Sequence, residues 1–116
     1  MSNSVVHFEL NVNNLEKGME FYKKIFQWNI QYIPEMKYGL IETGQPPAGG
    51  MMQAPPGSKP FVTFYINVED IEKTLQKAEE LGGKITLHKT RISDEFGYCG
   101  MFADPDGNQV GVWSQK

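Results

Sequence analysis

Apolar and polar residues alternate from Val5 to Val12, give way to a helical spacing, and the same succession returns from Phe61. In residues 5–12 the even positions Val6, Phe8, Leu10 and Val12 are apolar, and His7, Glu9 and Asn11 are polar. Period-two alternation predicts a strand with one face in a core and the other presenting His7 and Glu9 side by side. Asn13 followed by Glu16 reads as a capping box with Asn in place of Ser or Thr. Leu15, Met19, Tyr22 and Phe26 then predict an amphipathic helix to about Gln27, lying over the even face of the strand. Residues 28–33 and 38–43 read as short strands around a turn at Pro34–Lys37, and residues 44–47 as a loop. Residues 48–53, A-G-G-M-M-Q, are a weaker strand pattern, because two glycines lower β propensity and often mark a close approach of backbone or ligand.

Residues 61–73 repeat residues 5–17 at a constant offset of 56 (61 minus 5), with Val6/Val62, Phe8/Phe64, Asn11/Asn67, Val12/Val68, Glu16/Glu72 and Lys17/Lys73 identical. A strand from Phe61 to Val68 is followed by a helix from about Asp70, with Ile71, Leu75, Ala78 and Leu81 on one face and Gly82-Gly83 ending it. Residues 84–92 are β-like, and residues 98–103 and 109–114 read as a hairpin around the turn Asp104–Asn108. The later strands match at offset 61: Gly39-Leu40-Ile41 against Gly100-Met101-Phe102, and Gly50 against Gly111. The pattern predicts an α+β fold of two tandem βαβββ modules, residues 5–53 and 61–114, joined by a Pro-rich linker at 54–60.

A length of 116 residues suits one domain, so the modules are expected to share one core. A net charge of −3 without blocks of like charge argues against nucleic acid or an anionic membrane as partner. No apolar run approaches the roughly 20 residues that span a bilayer, and no signal-peptide pattern opens the chain. The single cysteine, Cys99, excludes an internal disulfide and suits a reducing cytoplasm, the expected location. Asp104, Asp106 and Asn108 imitate the start of a calcium loop, but the glycine falls at the fourth position and Gln115 stands at the twelfth, so they read as turn chemistry.

A duplicated βαβββ unit opening on V-x-H-F-E-L-x-V and closing on F-x-D-P-D-G-N-x-x-G-V-W resembles the vicinal oxygen chelate superfamily of glyoxalases, bleomycin-resistance proteins and extradiol dioxygenases. The resemblance implies one curved mixed sheet with helices on its convex side, and a divalent ion held by four side chains. Carried onto this chain, those positions are His7, Gly50, Thr63 and Gly111. Only His7 is a competent ligand: glycine offers no side chain and a threonine hydroxyl suits nickel, zinc or iron poorly. No cofactor is therefore expected, with a metal held by ligands outside the family pattern left open.

By strand parity Phe61 and Tyr65 accompany Thr63, Met52 accompanies Gly50 and Trp113 accompanies Gly111; Tyr98 completes the candidate ligand-binding set. Glycines in place of ligands would enlarge the cavity. His7 and Glu9 are the candidate acid–base groups. The expectation is a protein that binds a small apolar or aromatic molecule without metal and forms a homodimer. The alternative is a lyase, isomerase or dioxygenase that uses His7 and Glu9, or a non-standard metal site.

Overall fold

The computed structural model describes residues 3–116. Its fold is α+β, and each module runs strand, helix, three strands, as the repeat predicts. Two compact units are formed, one of Val6–Thr63 and the other of Phe64–Lys116 together with the N-terminal residues to Val5, the first residue of the opening strand.

In the unit Val6–Thr63, β1 (Val5–Val12) leads into α1 (Leu15–Phe26), followed by β2 (Asn29–Ile33), β3 (Tyr38–Glu42) and β4 (Ala48–Gln53). The strand order is β2-β3-β4-β1, with β1 and β4 parallel and the other pairs antiparallel. One sheet face packs Phe8, Leu10, Ile41 and Met51 against Leu15, Met19 and Tyr22 of α1. Ile41 and Met51 are fully enclosed, each burial contributing about 1.5–3 kcal/mol. Residues alternate sides along a strand, so His7, Glu9, Asn11, Tyr38, Gly50 and Met52 share the face away from α1.

The second unit holds β5 (Phe61–Asn67, whose first three residues lie in the other unit), α2 (Ile71–Glu80), β6 (Lys84–Ser93), β7 (Gly97–Ala103) and β8 (Gln109–Ser114). Its order is β5-β8-β7-β6, with β5 and β8 parallel and the remaining pairs antiparallel. Val68, Val112, Ile71 and Leu75 form its core under α2. β6 has ten residues where β2 has five, and its pairing with β7 is interrupted by register shifts. The difference, ten minus five, accounts for the change of repeat offset from 56 to 61.

The helix caps correct one expectation. Asn14, in extended conformation, caps α1 by accepting from the Lys17 amide at 3.0 Å, while Asn13 lies outside. Helix entry one residue later places Glu16 at the second helical position, where it cannot close a capping box. Asp70 caps α2 in the same way, accepting from the Lys73 amide at 3.0 Å. Glu72 instead turns to β6, accepting from the Lys89 amide at 2.8 Å and pairing with His88 at 3.1 Å. No helix among the described residues is long and apolar enough to cross a membrane.

Candidate functional site

The parallel pairing of β1 with β4 sets Glu9 opposite Gly50 and Asn11 opposite Met52, and β3 sets Tyr38 opposite Met52. From that register Tyr38 leans diagonally over β4. A Cβ on Gly50 would overlap the Tyr38 hydroxyl and ring, so only glycine leaves room for the crossing. Having crossed, the Tyr38 hydroxyl donates to Glu9 Oε2 at 2.9 Å and lies 2.8 Å from His7 Nε2. Asn11 Nδ2 donates to Glu9 Oε1 at 3.3 Å.

Proton positions follow from this arrangement. A carboxylate only accepts, and a phenol has one proton to give. With that proton directed at Glu9, His7 Nε2 carries a hydrogen and donates to the Tyr38 oxygen. Burial lowers the His7 pKa below its ordinary 6.5, which favours the neutral ring this tautomer requires. Glu9 is only 6% exposed and Asn11 only 4%. A buried carboxylate is costly unless hydrogen-bonded, and here the phenol and the amide both donate to it.

Sequence reasoning placed His7, Glu9 and Met52 on this face, and the structure gathers them with Tyr38. It missed Tyr38, whose only signal is an aromatic residue at the start of a strand that runs beside a glycine-bearing one. The expected enlargement at Gly50 does not occur, because the Tyr38 ring fills the space. Gly111 repeats the theme in the other unit: it pairs with Tyr65, whose ring lies where a Cβ would project. Neither glycine opens a cavity.

Among the other candidates, Thr63 is buried at 3% exposure and Phe61 is half-buried on the same side of β5. Trp113 shares the face of Gly111 and Tyr65, and its indole donates to the Phe96 carbonyl at 2.6 Å. Tyr98 does not join them. It packs on the opposite face, against the core under α2, with the Lys89 ammonium 4.6 Å from its ring centroid. One-residue parity separates it from Cys99, which is paired with Trp113.

The four positions carried over for a divalent ion do not fit one. His7 Nε2 is bonded to a phenol, and the ground where a ligand at 50 would project belongs to the Tyr38 ring. Among the described residues no group of three or more His, Cys, Asp or Glu side chains could hold a metal.

Residues 4–112 match the family model described as Glyoxalase/Bleomycin resistance protein/Dioxygenase superfamily. Over 113 residues the chain is 24% identical to a Mycobacterium tuberculosis protein named "Putative glyoxylase CFP32", covering 90% of this chain and 43% of that protein. The chain thus spans less than half the length of the curated relatives it matches. A glyoxalase/bleomycin resistance protein/dioxygenase superfamily member from Vibrio splendidus 12B01 superposes with a TM-score of 0.65 at 19% identity, over 97% of this chain and 99% of that one. The Mn(II)-bound glyoxalase from Novosphingobium aromaticivorans gives 0.69 at 14%, over 97% of this chain and 39% of that one. At these identities the structural likeness is one of fold.

Proposed function

The chain belongs to the glyoxalase/bleomycin resistance protein/dioxygenase superfamily, and we propose that within it this protein binds a small, partly aromatic molecule without a metal ion. The observation that carries the reading is Tyr38 lying over Gly50 and bonded to both His7 and Glu9. A family position that would hold an ion is given over to an organic hydrogen-bonding group. The polar end of the ligand meets His7 and Glu9, and its apolar body lies along Met52 and Leu40 on the same face. An apolar surface with a few placed polar groups is the usual form of a small-molecule site, and methionine adapts to irregular ligands. The lone cysteine suits a reducing, cytoplasmic setting.

The test is a thermal-shift screen of small aromatic compounds with and without chelator. Members of the panel that raise Tm equally in both conditions support the reading. Failure of every compound, or shifts that vanish with chelator, overturns it.

One observation favours a second reading. Glu9 is a buried carboxylate within a phenol–imidazole network, which is the equipment for abstracting a proton beside a carbonyl. An isomerase or lyase activity lost in Glu9→Gln and His7→Ala would establish it; full activity in both variants would remove it.

A further inference from the structure

The His7–Glu9 pair is already engaged with a phenol, that of Tyr38. The imidazole N–H gives to the phenol oxygen at 2.8 Å, and the phenol O–H gives to the carboxylate at 2.9 Å. The pair thus meets a hydroxyarene in both of its roles, with one donor to its oxygen and one acceptor for its proton. The aromatic ring is accommodated separately, by the missing side chain at Gly50. Asn11 holds the second carboxylate oxygen, so the acceptor is fixed in direction. Tyr38 stands at the first residue of β3, directly after Lys37, whose φ of 51° is left-handed. A non-glycine residue there is strained, because its Cβ crowds the following carbonyl oxygen. The ring is thus carried on a strand end beside a strained turn rather than from mid-strand.

We infer that His7 and Glu9, with the Gly50 slot, form a receptor for a phenolic hydroxyl, occupied in this structure by the protein's own Tyr38. The inference rests on the small-molecule reading above and gives its ligand a class, the monohydric phenols and related aryl alcohols. It also gives Tyr38 a role. As a tethered occupant Tyr38 competes with a free phenol, so the wild-type affinity is the intrinsic affinity multiplied by the fraction of time the slot is open. Only a ligand with further contacts displaces it.

The experiment removes the occupant. Tyr38→Ala is titrated with phenol and, separately, with toluene, followed by calorimetry and by the Gly50 amide resonance. Toluene is the more apolar probe, so burial alone favours toluene. A hydroxyl bonded to a buried carboxylate reverses the order, and phenol is expected to bind at least about tenfold more tightly. Glu9→Gln in the same background is expected to remove most of that preference. Tyr38→Phe keeps the ring and is expected to bind neither probe at Gly50. Equal affinity of Tyr38→Ala for phenol and toluene, or binding of neither, overturns the inference. If Tyr38→Ala does not fold unaided, refolding with each probe is read instead: recovery with phenol alone supports the receptor, and indifference to the probe overturns it. The parent reading fails separately, when no aromatic compound shifts wild-type Tm while Tyr38→Ala still prefers phenol.

Discussion

The ring of Tyr38 lies across the backbone of Gly50, and its hydroxyl reaches Glu9 on the far strand only because residue 50 has no side chain. The two residues therefore act as one structural feature. Gly50→Ala forces Tyr38 out, leaving Glu9 without its phenol donor. Overpacking and a lost hydrogen bond to a buried charge together cost about 2–4 kcal/mol. Urea denaturation should show this loss, and Gly50→Ala in a Tyr38→Ala background should cost much less. Additive effects of the two substitutions would mean that they do not share the site.

His7 provides a pH signature. Its pKa is lowered in the folded protein by burial, whereas in the unfolded chain it titrates near 6.5. Just below 6.5 the unfolded state therefore binds more protons, and stability rises with pH through that window. The contribution is complete above 6.5 and is lost as the pH falls through the folded value. Carboxylates add their own acid dependence, so the comparison is between wild type and His7→Gln. The stability difference between pH 7.5 and 5.5, from urea titrations, should be larger in wild type. Parallel curves would show that His7 does not carry this dependence.

The helix caps separate two neighbouring asparagines. Asn14→Ala removes the acceptor for the Lys17 amide and should cost about 1 kcal/mol, as should Asp70→Ala at α2. Asn13→Ala removes no cap and should change stability little, because Gln53 contacts its backbone carbonyl rather than its side chain. Thermal denaturation of the three variants distinguishes them. A larger loss in Asn13→Ala than in Asn14→Ala would return the cap to the earlier residue.

That one-residue correction shows what was legible in the chain and what was not. Period-two and helical spacings repeated at a fixed offset are properties of the string itself, so the ten elements among the described residues and their βαβββ order could be read directly. Equivalence of repeated residues could not. Phe8 and Phe64 are identical partners in the repeat, yet Phe8 packs into its core and Phe64 is 41% exposed. The cause lies on another strand. The Phe8 ring rests over Gly49, and the position matching Gly49 in the second module is Val110, which leaves no such slot. Tyr38 was hidden for a related reason, since its contact with Glu9 spans 29 positions and depends on a side chain that is absent. Tyr98 was misplaced because parity within β7 follows the pairing of Gly100 with Val112 toward α2, which its own alternation does not reveal.

Removal of metal gives the last test. An ion bound to the native state alone stabilises it by an amount that grows with its concentration over Kd, so stripping an occupied site lowers Tm. The four family positions here are an imidazole bonded to a phenol, two glycines beneath tyrosine rings, and a buried threonine. Chelator should therefore leave Tm unchanged, and added manganese, nickel or zinc should not raise it. Elemental mass spectrometry of protein purified without affinity metal should find far less than one ion per chain, with the same content in His7→Ala. Near-stoichiometric metal that falls away in that variant would mean that His7 leaves Tyr38 to bind an ion. The Tyr38 bridge would then be the arrangement of the empty site alone, and the search for activity would turn to metal-assisted lyase or dioxygenase chemistry.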